Sequence, residues 1–217
     1  MRQVLLALAF AALTPMCWSA SSPVVEVDFS NPGLTPSHWV LTIYPDGNAH
    51  FLSESSSQHP EGQSGIEPPV VNRDVHLTSQ FADRVFQTAQ RHNLFNSQCD
   101  SHLKVAFEGR KRLSYSGPEG QGTCEFNYSK DKEIQELGEA LVSVATTITE
   151  GARIENLLHH DPLGLDKEME YLVEAVSDGR AQQLCAIRGI LEHLAQDEMV
   201  LERVRKRARW LLARDEK

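Results

Sequence analysis

Residues 99–128 read CDSHLKVAFEGRKRLSYSGPEGQGTCEFNY, and this stretch decides the fold class. Three β-prone runs, 103–107, 111–115 and 123–128, are separated by Glu108-Gly109 and by GPEGQG at 117–122. Side chains alternate across a strand. Alternation therefore sets Leu113 and Tyr115 against Arg112 and Ser114, and Cys124, Phe126 and Tyr128 against Glu125 and Asn127. One face is apolar and one polar, the pattern of an antiparallel sheet with helices on one side. The glycines at 117–122 do not make a phosphate cradle. Such a loop needs a following helix whose amides converge on the anion, and here a strand follows.

Upstream, WVLTIY at 39–44 is strongly β-prone. Pro45-Asp46-Gly47-Asn48 then turns the chain, since proline presets φ and glycine accepts a positive φ. Residues 49–52 return as the second arm of a hairpin, and VVNRDVHL at 70–77 reads as another strand. Residues 53–69, rich in Ser, Gly, Gln and Pro, read as a long exposed loop. Residues 21–37 read as a leader, although the apolar–acidic alternation of residues 24–29 also fits a strand.

Thr78 or Ser79 caps a helix to about His92, with Phe81, Val85, Phe86 and Ala89 on one face and Asn93 as a left-handed stop. After Ser129, which is placed to cap, Ile134, Leu137, Leu141, Val144 and Ile148 recur at helical spacing, and Gly151 offers a kink or a break. From Asp166 onward three short amphipathic helices should pack as a small helical bundle. The fold class is α+β: an antiparallel sheet of five or six strands with two packed helices, then a C-terminal helical subdomain. The expected division is 1–20, 21–37, 38–150 for the sheet domain and 151–217 for the helical part.

Residues 1–20 carry Arg2, an apolar run at 4–13, the break Thr14-Pro15, and Ser19-Ala20. That is a secretory signal peptide, and the run is too short to span a bilayer as a helix. Cys17 raises a lipid anchor, but lipoprotein cleavage wants a small residue before the cysteine, and Met16 is large. Cleavage near Ala20 is the expectation. It removes Arg2 and no acid, so the net charge of −9 becomes −10. An acidic exported chain with no transmembrane segment after cleavage argues for a periplasmic or extracellular protein and against nucleic acid as a partner. Outside the cytoplasm cysteines pair. Cys99, Cys124 and Cys185 allow three single pairings, and Cys99–Cys124 is expected because both lie in the strand-rich segment. A loop of that size would stabilise the fold by about 3 kcal/mol. Cys185 is then a buried thiol on a helix, or else an intermolecular bridge or a reactive thiol.

Two clusters offer chemistry. His159, His160 and Asp161, with Glu155 one turn before His159, offer nitrogen and oxygen ligands suited to zinc. The plainer reading is a helix end, where histidines favour the negative end of the dipole. The second cluster is the basic last helix. Arg203, Lys206, Arg207 and Trp210 make an interaction surface for an acidic partner or a membrane, or else a solvated face.

The runs FADRVFQTAQRHNLF (81–95), LSYSGPEGQGTCEFNYSKDK (113–132) and RVRKRARWLL (203–212) resemble an uncharacterised exported bacterial protein family. The likeness covers about two-thirds of the chain. It implies an exported α+β protein, with no established activity and no catalytic residues to transfer. Three function classes follow: a non-enzymatic binding or interaction module of the cell envelope with an unknown partner and no cofactor; a metal-dependent hydrolase using His159, His160 and Asp161; and a membrane-surface adaptor using the basic helix.

Overall fold

A computed structural model of the chain describes residues 22–54 and 70–215. The signal-peptide reading and most of the long loop fall outside the described residues. Six strands, β1 (Val24–Ser30), β2 (His38–Ile43), β3 (Asn48–Ser53), β4 (Asn72–His76), β5 (Arg110–Gly117) and β6 (Gly120–Phe126), form one antiparallel sheet in the order β4-β3-β2-β1-β5-β6. The structure resolves the two readings of residues 21–37 in favour of a strand. β1 lies inside the sheet, pairing Val27 with Leu41 of β2 on one side and with Leu113 of β5 on the other.

The other departure is in the opening stretch. Residues 103–107 do not form a strand. Their backbone is tied instead by neighbouring side chains. Asp100 Oδ1 accepts from His102 N (2.6 Å), Asn127 Nδ2 donates to the Ala106 carbonyl (2.9 Å), and Glu108 N donates to Asn127 Oδ1 (2.8 Å). Leu103, Val105 and Phe107 are all exposed, so their alternation does not mark a buried face. The expected turn at 117–122 is also shorter. Pro118 and Glu119 alone make it, and Gly117 pairs with Gly120. Gly122 lies within β6, where a Cβ would collide with the Leu94 carbonyl.

Five helices follow the pattern of their apolar residues. In α1 (Ser79–Arg91) the Thr78 hydroxyl accepts from Phe81 N (3.3 Å). Asn93 ends it with φ 52, and Leu94 and Phe95 remain left-handed. In α2 (Lys132–His160) Asp131, rather than Ser129, is the cap: its carboxylate accepts from Glu133 N and Ile134 N. α2 runs unbroken through Gly151, where a Cβ would strike Ile187, so this glycine permits a close approach and makes no kink. α3 (Leu165–Ser177), a 3-10 turn at Leu184–Ile187, α4 (Arg188–Gln196) and α5 (Glu202–Asp215) complete the chain.

Two apolar cores result. One joins the inner sheet face (Val27, Leu41, Phe51, Leu113, Phe126) to α1 and to α2 as far as Ala152. The other joins Ile154 and Leu157 of α2 to α3, α4 and α5. α2 belongs to both. Cys99 and Cys124 are bonded, with Cα atoms 5.6 Å apart, which pins the loop before β5 to the edge strand β6. Among the described residues no helix is long and apolar enough to cross a membrane.

Candidate functional site

The residues singled out from sequence do not assemble into a metal centre. His159 and His160 end α2 exposed, their rings 6.4 Å apart and edge to face. Glu155 is bonded to Arg73 of β4 (2.7 Å). Asp161 is the residue after the helix, and its backbone N–H closes the last turn on the Leu157 carbonyl. Among the described residues no group of three or more His, Cys, Asp or Glu side chains converges as metal ligands do.

The arginines of the basic helix α5 are largely paired with acids of the protein, although Arg203 and Arg209 stay exposed. Asp166 on α3 binds Arg203 (2.7 Å) and Arg207, and Arg207 also reaches Glu170 (3.5 Å). Glu202 takes Arg205 (2.6 Å) and Arg209 (3.5 Å). Trp210 is partly exposed, with the Arg214 guanidinium stacked 4.4 Å over its ring. Lys206 is exposed and, among the described residues, has no acidic partner. The free thiol of Cys185 is half-buried on the 3-10 turn, and burial raises its pKa, which disfavours the reactive thiolate.

Lys111 is a residue that sequence reading passed over. Alternation from Leu113 puts it on the inner face, and it is buried there at 3% exposure. Its ammonium donates to the Asn127 carbonyl (3.1 Å) and lies 5.7 Å from the centre of the Phe126 ring. Desolvation lowers its pKa, opposed by Glu108 and Glu139. These contacts satisfy it as part of the core.

The strongest concentration of unsatisfied chemistry lies where the sheet, α2 and α3 meet. α2 carries a second buried line at Ser143, Thr147, Glu150 and Ile154, beside the apolar stripe that faces the sheet. Ser143 and Thr147 satisfy their hydroxyls on the carbonyls of Gly179 (3.1 Å) and Gln182 (2.6 Å). Glu150 is different. Its residue is 93% buried, being 7% exposed, and among the described residues its Oε2 atom has no hydrogen-bond partner. The Glu150 residue lines a cleft of about 160 Å³. Phe29, Leu34, Pro36 and Trp39 form its sheet-side wall, and Thr146, Thr149 and Tyr171 line the helical side. Trp39 is held in place by stacking on Phe29, ring centres 5.0 Å apart.

Glu168 on α3 faces Glu150, and Arg153 spans the two, its Nη1 3.8 Å from Glu150 and 3.5 Å from Glu168. Burial, and then the Glu168 carboxylate, push the Glu150 pKa up to about 8, against the opposing pull of Arg153 and Arg180. Burial beside a second carboxylate disfavours the charged form, which holds the Glu150 carboxyl toward its protonated state. Arg180, nearby, is committed to Asp178 (2.8 Å) and to the Tyr171 hydroxyl (3.0 Å). The arrangement is a small, mostly apolar recess with one carboxyl that can give up or take a proton near neutrality, a combination typical of ligand sites.

The sequence signal for Glu150 is faint but present. Positions 143, 147, 150 and 154 step by four, three and four, which is a helical face. An acid on a face shared with Ile154 is out of place on a solvated surface. Comparison with protein-family models gives no match, and comparison with curated proteins gives none either.

Proposed function

We propose that this protein is an exported, non-enzymatic binding module of the cell envelope whose cleft beside Glu150 takes a small ligand. The observation that carries the binding reading is Glu150, a buried acid that lines a mostly apolar recess and whose Oε2 has no partner among the described residues. A group of this kind costs about 1–3 kcal/mol when unmet, and a ligand that reaches it recovers that cost. Export is supported by the apolar run at 4–13 with its small-residue cleavage region and by the Cys99–Cys124 bond, which persists in oxidising compartments. The partner is a small molecule of the envelope, and nucleic acid is disfavoured by the net charge of −9.

One experiment addresses both halves. The full sequence is expressed in a bacterial host, recovered from the periplasm and titrated with a fragment library by ¹H–¹⁵N NMR. The expected result is a mature chain beginning after Ala20, and ligands that move the Trp39 indole and Leu34 amide signals together. Retention of the uncleaved chain in the cytoplasm overturns the export reading. Ligands that bind elsewhere and leave Trp39 and Leu34 unmoved overturn the cleft.

A further inference from the structure

Resting on the cleft as a binding site, we infer that its ligand is a small organic cation: a primary ammonium on a short apolar or aromatic stem, with the ammonium held between Glu150 and Thr146 and the stem against Trp39. Charge count is the first ground. The two carboxylates Glu150 and Glu168 face a single guanidinium, Arg153, which lies on the Oε1 side of both. Arg180 is already bound to Asp178. One negative charge is left over, and among the described residues the Glu150 Oε2 atom has no donor. At neutral pH a proton fills that place, and an ammonium fills it with three N–H donors.

The second ground is shape and chemistry of the walls. A recess of about 160 Å³ matches a six-carbon ring, since an apolar cavity of about 150 Å³ admits benzene. The aromatic faces of Trp39 and Tyr171 suit an apolar stem, and aromatic faces also attract cations. Thr146 donates its hydroxyl proton to the Val142 carbonyl (3.0 Å), which leaves its oxygen free to accept from an ammonium. Among the described residues the charged groups facing Glu150 are Arg153 of its own helix, Glu168 of α3 and Arg180 after α3. The sheet-side wall, from β1, β2 and the loop between them, contributes none.

Benzylamine and its uncharged analogue benzyl alcohol separate the outcomes, measured by calorimetry on the mature protein at about pH 6 and about pH 8.5, with the Trp39 indole signal followed by NMR. Benzylamine should bind at least about tenfold tighter than benzyl alcohol, a gap of about 1.4 kcal/mol. Its affinity should rise with pH as the proton on Glu150 is displaced, and its heat should depend on the buffer because a proton is released. Glu150→Gln should abolish the preference for the amine while leaving the protein folded. Equal affinities, tighter alcohol binding, or an affinity that rises as pH falls overturns the cationic ligand and leaves the cleft reading standing. Failure of both probes to move Trp39 overturns the cleft itself. Nα-acetyl-lysine methylamide carries the same head on a peptide-like stem. Binding by it in preference to benzylamine assigns the ammonium to a lysine side chain, and the reverse assigns it to a free amine.

Discussion

Two clusters of acids and arginines are attached to α3, and they differ in stoichiometry. At the start of the helix two arginines from α5, Arg203 and Arg207, share Asp166, and Arg207 also reaches Glu170, so two carboxylates meet two arginines. Two residues further along α3, Glu168 and with it Glu150 of α2 meet one arginine, Arg153. The residue types are the same, but the first cluster leaves no acid unmet and the second leaves a buried oxygen without a partner among the described residues. Asp166 lies in the first turn of α3, where the helix dipole favours an acid, and it ties α5 to α3 over the second core. Glu150 lies well inside α2 (Lys132–His160), away from either end, and lines a cleft. Arginines matched by acids make a clamp. An excess of carboxylate in a buried place makes a site that must take up a proton or a ligand.

The comparison breaks most directly at Glu150. Its folded pKa stands above the unfolded value, so between the two values the folded protein holds a proton that the unfolded chain has lost. Raising pH through that window removes the proton from the fold alone, and stability falls. Glu150→Gln keeps the shape, places an amide donor toward Glu168 and removes the titration. The variant should match the parent at about pH 4 and exceed it by on the order of 2–4 kcal/mol at about pH 9. Urea unfolding of both proteins across that range measures it. A gap that does not change with pH would show that Glu150 is ordinarily ionised and that the two clusters are alike.

The sheet was legible where local chemistry and tertiary outcome agree. Pro45-Asp46-Gly47-Asn48 has Gly47 at φ 85, and Thr78 caps as its position suggests. The Cys99–Cys124 pairing also follows from two cysteines in adjacent strand-rich runs. Residues 103–107 were not legible, because LKVAF alternates like a buried strand. They lie outside the sheet with Ala106 and the flanking His102 and Glu108 held by the side chains of Asp100 and Asn127, which no period records. β1 was ambiguous for the opposite reason. Prolines around a short alternating run look like a linker, and only pairing on both sides makes it interior. The metal reading of His159, His160 and Asp161 rested on adjacency along the chain, whereas Glu155 is drawn away by Arg73, 82 residues distant. The cleft needs Phe29, Trp39, Glu150 and Tyr171 from four separate elements or loops, so its polar part shows in the sequence only as a misplaced acid on a helix face.

A smaller effect is expected at the clamp. Asp166→Ala leaves Arg203 and the half-buried Arg207 without their shared acid. The loss should be about 1–2 kcal/mol, reduced from a fully buried pair because Arg203 is mostly in solvent. It should shrink as salt rises, since screening already weakens the parent's pairs, whereas the Glu150 effect responds to pH. Unfolding at low and high salt measures this. A loss insensitive to salt would mean that Asp166 acts through packing, and the clamp would no longer be the electrostatic counterpart of the Glu150 site.

The smallest effect is expected on the outer side of α5, and it decides whether the arginines of this helix ever face a partner. Arg203, Arg205, Arg207 and Arg209 are each paired with an acid of the protein, and Arg214 covers Trp210. Lys206 is the exposed cation without such a pair among the described residues. A helix whose charges are spent internally has little left for an anionic membrane, where each free basic residue contributes about 1 kcal/mol. The protein should therefore not sediment with phosphatidylserine vesicles at physiological salt, and Lys206→Ala should change neither that result nor the melting temperature. Sedimentation that weakens with salt and drops on Lys206→Ala would mean that the pairs with Asp166 and Glu202 open at a surface. The arginine-rich cluster would then be a contact site held closed by its own acids, and the ratio of arginine to carboxylate would no longer separate structure from function in this molecule.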